Sequence, residues 1–419
     1  MSTRRSLDEW LRLQETVHGQ GIDLGLARVR SVAERLQLLP YALRTIIVAG
    51  TNGKGSTVAC LAGLLRAHGL KAGAFTSPHL LRYHERIRLD GADATDAELI
   101  DAFEAIDAAR GQTTLTFFEY NALAAMWLFR QRRMDFAVLE VGLGGRLDAV
   151  NIVDAEAAIV CSIGLDHADW LGTDVEQIGR EKAGVFRAGS LAVVADPAMT
   201  PSVAAEADRI GARPLRAGSH YTWQVDAAGG RWSFRGAQRF DDLDPPALAG
   251  ELQYANAAAA LATLSGMGVE LKPQAINHAL RSLRLPGRFQ VVPGPVEWIL
   301  DVAHNEPAAR VLALNLRQRP CAGRTLIVAG ILGDKDVAAI APLLSGAAWQ
   351  VFVCGIDAPR GLTAAQLAAR APEFAKATQC VDIAAGMRAA AEAARPGDRI
   401  VVCGSFLAVA PALERLGLY

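Results

Sequence analysis

Thr45-Ile-Ile-Val-Ala-Gly-Thr-Asn-Gly-Lys-Gly-Ser-Thr57 reads as a buried strand that passes through a glycine-rich turn into a helix. The apolar run Ile46–Ala49 suits a central parallel strand covered on both faces. Gly50, Gly53 and Gly55 let the backbone come close to an anion. The helix expected from about Lys54 through Leu65 aims its free N–H groups and positive dipole end at the same point. Lys54 adds a mobile charge, and Ser56 or Thr57 offers a hydroxyl suited to Mg²⁺. The segment therefore predicts a phosphate site. Its spacing departs from the usual P-loop, because Val48 stands where the first glycine of that pattern would fall. A purely structural glycine turn would not need the Lys-Gly-Ser-Thr tail.

Working outward, apolar strand-like runs alternate with helix-period segments: Ile46–Ala49, Phe136–Val141, Ala157–Ile163 and Leu191–Ala195. Alternation of this kind predicts an α/β chain with an N-terminal, P-loop-type, mostly parallel sheet and flanking helices. After the turn-rich Leu285-Pro-Gly-Arg-Phe289 a second set follows, Val296–Val302, Thr325–Ala329, Val351–Cys354 and Ile400–Cys403, with helical stretches such as Ala308–Arg317 and Ala385–Ala394 between. The expected division is a large domain over residues 1–287 and a smaller α/β domain over 288–419. Between Gly218 and Arg239, the near-alternating Tyr221, Trp223, Trp232 and Phe234 suggest a short antiparallel hairpin decorating the large domain.

Composition narrows the class of function. The 419 residues carry 43 basic and 44 acidic side chains for a net charge of −1, so no global field favours nucleic acid or an anionic membrane, and any anion site must be local. The start, Met-Ser-Thr-Arg-Arg-Ser-Leu-Asp-Glu-Trp10, lacks the apolar stretch of a signal peptide, and no run approaches the ~18 apolar residues of a membrane span. Cys60, Cys161, Cys321, Cys354, Cys380 and Cys403 are scattered without paired spacing, as expected of reduced thiols in a cytoplasmic protein.

Four stretches put polar groups where apolar strands end. In Leu139-Glu-Val-Gly-Leu-Gly-Gly-Arg-Leu-Asp148, Glu140 sits between apolar neighbours and precedes a glycine-rich exit. A carboxylate buried there needs a partner, and Mg²⁺ beside a nucleotide is the obvious one. Ile163-Gly-Leu-Asp-His-Ala-Asp169 repeats the pattern with Asp166 and His167, either structural or metal-binding. Ser77 in Thr76-Ser-Pro-His-Leu80 supplies a hydroxyl ligand or starts a turn. In Leu300-Asp-Val-Ala-His-Asn305, Asp301, His304 and Asn305 are expected to face the nucleotide across a cleft, with Arg288. Lys182, in Gly179-Arg-Glu-Lys-Ala-Gly184, reads on its residues alone as a surface lysine.

Taken in order, these motifs resemble the folylpolyglutamate synthase and dihydrofolate synthase family, a branch of the Mur-ligase-like ATP-dependent amide ligases. The resemblance is carried by Ala49-Gly-Thr-Asn-Gly-Lys-Gly-Ser56, Thr76–Leu80, Glu140–Asp148, Asp166-His167, Arg180-Glu-Lys-Ala-Gly184, Pro286-Gly-Arg288 and Asp301–Asn305, with Gly333-Asp-Lys-Asp336 and Gly404-Ser405 similar to later family motifs. It implies a Rossmann-like second domain. It also implies that Gly53, Lys54, Gly55 and Ser56 hold the ATP phosphates, that Asn256, Arg288 and Asp301 contact the nucleotide, and that Ser77, Glu140 and His167 ligate Mg²⁺, with two ions in all. Lys182 matches a family lysine carbamylated by CO₂, which becomes an anionic metal ligand. Lys54, Lys182 and His304 are the implied catalytic set.

Two stretches resemble the family's pterin-substrate site: Ile22-Asp-Leu24 within Ile22–Leu26, and Thr116-Phe-Phe-Glu119 with Leu147-Asp-Ala149. A flat pterin with its benzoyl ring would use the aromatic surface of Phe117 and Phe118 and the acceptors of Glu119 and Asp148. Alternatively, Phe117 and Phe118 are simply the first core residues of a helix over Glu119–Arg132. Two departures stand out: Val150 replaces the usual threonine after Asp-Ala, and Glu306 is inserted ahead of Pro307.

The implied reaction joins L-glutamate to dihydropteroate and to folates through an acyl phosphate. The partners are then small molecules, with no nucleic acid or membrane, and the protein is a cytoplasmic monomer. The alternatives are a monofunctional folylpolyglutamate synthase, a Mur-type ligase acting on a peptidoglycan precursor, and a regulatory ATPase that makes no amide bond. Because Lys54 contributes charge and not packing, Lys54→Ala should leave the fold intact and lower steady-state ligation by on the order of a hundredfold or more. Near-normal turnover in that variant would rule out the phosphate role.

Overall fold

The structure is a computed structural model describing residues 4–226 and 230–419. By contact the chain divides into two compact units. The first comprises Met1–Ile163, Asp174–Ala247 and Tyr254–Leu283, and the second Gly164–Thr173, Leu248–Gln253 and Arg284–Tyr419.

The first unit is built on β1 (Arg44–Ala49), β2 (Ala72–Phe75), β3 (Ile87–Leu89), β4 (Ala92–Asp93), β5 (Phe136–Glu140), β6 (Ala157–Val160), β7 (Leu191–Val194) and β8 (Arg213–Arg216). They form one eight-stranded sheet in the order β4-β3-β2-β5-β1-β6-β7-β8. The six strands from β2 to β8 in that order run parallel, and β3 alone runs against them, pairing antiparallel with both β2 and β4. Every residue of β5, β6 and β7 is buried, which is why, Glu140 at the end of β5 apart, their sequences are apolar runs instead of alternating ones. β1, at the centre, is flanked by β5 and β6 and feeds the helix Lys54–Ala67. Ligands in such sheets bind beyond the carboxyl ends of the strands where the order reverses, which is where the glycine turn lies. The helix Phe117–Gln131 covers one face, started by a capping box between Thr116 and Glu119, and its buried side, Tyr120 included, joins Phe75 and Phe103 in the main core.

The stretch expected to be a hairpin is a three-stranded antiparallel sheet of β9 (Thr222–Val225), β10 (Trp232–Arg235) and β11 (Arg239–Leu243) in the order β11-β10-β9. Its third strand was hidden in the sequence because the β10–β11 register shifts between Trp232 and Phe234, so Phe240 and Leu243 do not continue a strict alternation. Residues 227–229 of that stretch lie outside the described residues.

The second unit carries β12 (Gln290–Val292), β13 (Glu297–Asp301), β14 (Thr325–Ala329), β15 (Gln350–Cys354), β16 (Thr378–Cys380) and β17 (Arg399–Cys403). They form a six-stranded sheet in the order β12-β13-β17-β14-β15-β16, parallel except for β12. Pairing of Asp301 and of Ala329 with Cys403 brings the carboxyl ends of β13, β14 and β17 level. Among the described residues all six cysteines are free, five of them buried, and no helix is long and apolar enough to cross a membrane.

Candidate active site

The turn after β1 has the conformation its glycines permit. Gly53 sits at φ +87°, and a Cβ there would come within 3.0 Å of the Asn256 side-chain oxygen, so the backbone needs glycine at this point. Helix Lys54–Ala67 follows with no side-chain cap, and its first intrahelical bond is Thr57 N–H to the Gly53 carbonyl at 2.9 Å. The N–H groups of Lys54, Gly55 and Ser56 thus precede the helical ladder, the arrangement that suits an anion. Lys54 Nζ donates to the carbonyls of Gly50 and Thr51 at 3.1 and 3.2 Å, arching over the turn. Neighbouring elements brace it: Thr51 N–H donates to the Ser162 carbonyl at 2.8 Å, the Ser162 hydroxyl to the Asn52 carbonyl at 3.0 Å, and the Thr57 hydroxyl to Asn256 Oδ1 at 3.3 Å.

Glu140 ends β5 beside this turn, because β1 and β5 pair with Val48 opposite Glu140. Only 4% exposed, it accepts a hydrogen bond from the Ser77 N–H at 3.1 Å. Lys182 is 5% exposed, which overturns its reading as a surface lysine. The reason is packing without side chains: a Cβ on Gly145 would lie 2.8 Å from the Lys182 carbonyl oxygen, so the glycine-rich exit and the helix Val175–Ala183 meet backbone to backbone. The thiol of Cys161 marks where these groups converge. Burial pushes it up to about 11, the Thr57 hydrogen bond and the charges of Lys54 and Lys182 pull it down, and Glu140 raises it. Hard oxygen donors, a buried carboxylate and a free helix N-terminus fit a nucleotide with a divalent metal. Among the described residues no group of three or more His, Cys, Asp and Glu side chains is gathered as a metal cluster.

The stretches assigned to the pterin cluster in the same unit, though not as free acceptors. Asp148, 2% exposed, accepts from the N–H groups of Gly142 and Leu143 at 3.0 Å each and Val150 at 3.1 Å. Glu119 accepts from Thr116 N–H at 2.7 Å and from Arg28 at 3.2 Å. Both carboxylates hold the walls together, which their sequence positions could not reveal. Phe117 and Phe118 open the helix and are half-buried, packed against the core while keeping one side outward. Phe118 lies 5.6 Å from the Phe75 ring, and its ring would clash with any Cβ at Gly142, at 2.5 Å. Ile22 is 39% exposed, Asp23, Leu24 and Leu147 are half-buried, and Ala149 is buried. Val150, in the threonine position, is fully buried and donates its N–H to Asp148, so the departure leaves the loop intact.

Arg86 was missed. Its guanidinium, in a residue 8% exposed, lies 5.3 Å from the Phe117 ring and donates to His79 Nδ1 at 2.7 Å. Burial, then the Arg86 charge, lowers His79 to about 4, so the imidazole is a neutral acceptor at physiological pH. No sequence signal distinguishes Arg86 from a surface arginine.

In the second unit, Asp166 is the hub. It accepts from Lys335 Nζ at 2.6 Å, from Asn305 Nδ2 at 2.9 Å and from the His167 N–H at 2.9 Å, with His304 Nε2 at 3.6 Å. Burial works against its ionisation, but His304, His167 and Lys335 outweigh that and hold it well below the ordinary carboxylate range. His304 Nδ1 lies 2.8 Å from the Val302 carbonyl, to which it donates. Asp301 accepts from Phe289 and Ala303 N–H groups at 2.8 and 2.7 Å; burial raises it while Arg288 opposes. Arg288 lies over the Phe406 ring at 5.0 Å. Asn305 caps the helix Glu306–Gln318 by accepting from Ala308 N–H at 3.0 Å, so the inserted Glu306 is simply its first residue. Gly53, Lys54, Gly55, Ser56, Ser77, Glu140, Lys182 and Asn256 thus belong to the first unit, and His167, Arg288, Asp301 and His304 to the second.

Comparison with known proteins agrees with this geometry. Family models match for the Mur ligase middle domain over residues 48–264 and for the Mur ligase, glutamate ligase domain over 287–406. The dihydrofolate synthase/folylpolyglutamate synthase of Escherichia coli K12 is 43% identical over 97% of this chain and 95% of its own, and that of Haemophilus influenzae 35% identical over 96% of each. E. coli FolC in complex with DHPP and ADP superposes with a TM-score of 0.93 at 43% identity, covering 99% of this chain and 98% of that one. A bifunctional folylpolyglutamate synthase/dihydrofolate synthase with Mn, AMPPNP and L-glutamate bound gives 0.91 at 44%, covering 99% and 98%. Fold and site together define a Mur-type ligase. Within that class, the chain belongs to the dihydrofolate synthase/folylpolyglutamate synthase family.

Asp148 offers a pH test of the wall it holds. Burial outweighs its three N–H donors and raises it from 3.8 to about 6. A carboxyl raised on folding stabilises the protein fully below about pH 4 and loses that contribution as pH rises through about 6, a swing of about 3 kcal/mol. Thermal unfolding of Asp148→Asn and wild type should therefore show the variant gaining on the wild type between pH 4 and 7. A constant difference across that range would refute the raised value.

Proposed function

We propose that this chain is an ATP-dependent ligase that adds L-glutamate to dihydropteroate, forming dihydrofolate, and to folates, extending their glutamate tail. The observation that carries this is likeness to the bifunctional relatives over nearly the whole chain, together with a glycine turn, a helix N-terminus and a buried carboxylate meeting at the ends of β1 and β5.

A carboxylate is a poor electrophile, and transfer of the γ-phosphoryl group of ATP makes it an acyl phosphate that the amine of glutamate can attack. The N–H groups of Lys54, Gly55 and Ser56 and the Lys54 ammonium hold the phosphates and stabilise charge developing on the transferred group. Ser77, Glu140, His167 and a carbamylated Lys182 would hold two Mg²⁺ ions, which would supply Lewis-acid charge to the phosphoryl oxygens. Carbamylation would turn the buried Lys182 side chain into an anion suited to a metal. Asn256 braces the turn, and Arg288 and Asp301 are assigned to nucleotide contacts in the second unit. His304, its tautomer fixed through Nδ1, is assigned to proton handling there.

The pterin acid is assigned to Ile22, Asp23 and Leu24, Thr116, Phe117, Phe118 and Glu119, and Leu147, Asp148 and Ala149. In this reading the apolar and aromatic groups contact the ring system, while Glu119 and Asp148 act by fixing the segments that carry them. The balanced charge of the chain supports small-molecule substrates with no nucleic-acid or membrane partner, and the protein is proposed as a cytoplasmic monomer.

Purified protein should release ADP only when ATP, a pterin acid and L-glutamate are all present, with dihydropteroate and a tetrahydrofolate each serving as the acid. ADP release indifferent to both co-substrates would favour a regulatory ATPase. Release with the tetrahydrofolate alone would mark a monofunctional folylpolyglutamate synthase.

A further inference from the structure

We propose that Arg28 is a positioning residue for the pterin-acid site, setting affinity for that substrate without touching it; this rests on the assignment of residues 22–24 to the substrate. Those residues lie in a segment without regular secondary structure, between the helices Leu7–Thr16 and Ala27–Arg35. Such a segment, with Ile22 39% exposed, has little burial of its own to hold it. Side chains hold it instead.

Arg28, in the first turn of the helix Ala27–Arg35, makes three bonds with one guanidinium. Nη1 donates to Asp23 Oδ2 at 2.6 Å, and Nη2 donates to the Asp23 carbonyl at 2.7 Å and to Glu119 Oε1 at 3.2 Å. Asp23 is gripped from the other side by His18, whose Nε2 lies 3.1 Å from Oδ2 while its Nδ1 reaches the Thr114 hydroxyl at 2.9 Å. Glu119 is only 4% exposed, and its second oxygen accepts from Thr116 N–H, so Arg28 bonds to a carboxylate that is itself fixed by the cap of its helix. Arg28 Nε is buried without a hydrogen-bond partner among the described residues, a cost accepted so that the two Nη groups can span the gap.

The consequence is a rigid link between two substrate-assigned segments, closed by an Arg28–Glu119 bond that spans 91 residues of sequence. One end is the backbone and carboxylate of Asp23; the other is the first turn of Phe117–Gln131, which carries Phe117 and Phe118. The fork geometry is specific to arginine, since a lysine ammonium at this position can satisfy Asp23 or Glu119 but does not reproduce the planar bridge. Ordering a loop in advance of binding lowers the entropy that binding must otherwise supply, so loosening it should raise KM for the pterin acid and leave the chemical step and the nucleotide site alone.

Steady-state kinetics on purified Arg28→Ala, Arg28→Lys and Leu24→Gly test this. Arg28→Ala should raise KM for dihydropteroate about tenfold with kcat within about twofold and KM for ATP unchanged, Arg28→Lys should fall between it and wild type, and Leu24→Gly should also raise KM. If Leu24→Gly raises KM but both Arg28 variants do not, the positioning role is overturned while the substrate segment stands. If neither residue affects KM, the assignment of the segment falls and the role of Arg28 with it. Equal loss of kcat and of Tm in Arg28→Ala, with Arg28→Lys behaving as wild type in KM, would make Arg28 a stabilising residue only and would likewise overturn the proposal.

Discussion

The large unit depends on one backbone register. β1 and β5 run parallel with Val48 opposite Glu140, and the Val141 N–H donates to the Val48 carbonyl at 3.0 Å. On the other side of β1, Cys161 N–H donates to the Ala49 carbonyl at 2.8 Å, and Thr51 N–H to Ser162 at 2.8 Å. These bonds bring the ends of three strands level, so the glycine turn, Glu140 and the segment after β6 meet without any side chain having to reach. A slip of one residue in β5 would turn Glu140 to the opposite face and place Val141 toward the turn. Everything chemical in this unit follows from that alignment.

Around this centre the sequence spends glycine wherever two backbones must touch. Gly53 stands against Asn256, Gly142 against Phe118 and Gly145 against the backbone of Lys182. The third contact explains how a lysine comes to be buried in a helix with charged neighbours: the helix lies so close to the exit loop that its inner face has no room for solvent. Asn151 strengthens the same junction, donating from its side chain to the Arg146 carbonyl at 2.9 Å and the Gly184 carbonyl at 3.1 Å. The carboxylates Asp148 and Glu119 are likewise committed to backbone N–H groups, so the site is shaped by polar groups that the protein has already satisfied.

What the sequence made legible follows from period and composition. Buried parallel strands read as apolar runs, and Ile46–Ala49, Phe136–Val141, broken only by Glu140, and Thr325–Ala329 stand out for that reason. The phosphate turn was legible because glycine, lysine and hydroxyl residues each have a physical role there. The third strand of the small sheet was not, since a register shift breaks its alternation. Nor were the burial of Lys182, the bridge made by Arg28, or Arg86 beside Phe117, because arginine and lysine in a helical or turn context look alike whether they face water or the interior. A metal role for Lys182 rested on the family resemblance alone, whereas for His167 the strand-end position left the structural and metal-binding readings open.

Binding of Mn²⁺ in the presence of AMPPNP, followed by electron paramagnetic resonance on wild type and Glu140→Ala, tests most directly whether the register of β1 and β5 builds one centre for phosphate and metal. Glu140→Ala should bind the ion at least about tenfold more weakly while keeping the wild-type melting temperature to within a few degrees. Unchanged Mn²⁺ affinity in a folded Glu140→Ala protein would contradict a shared centre at the ends of these strands.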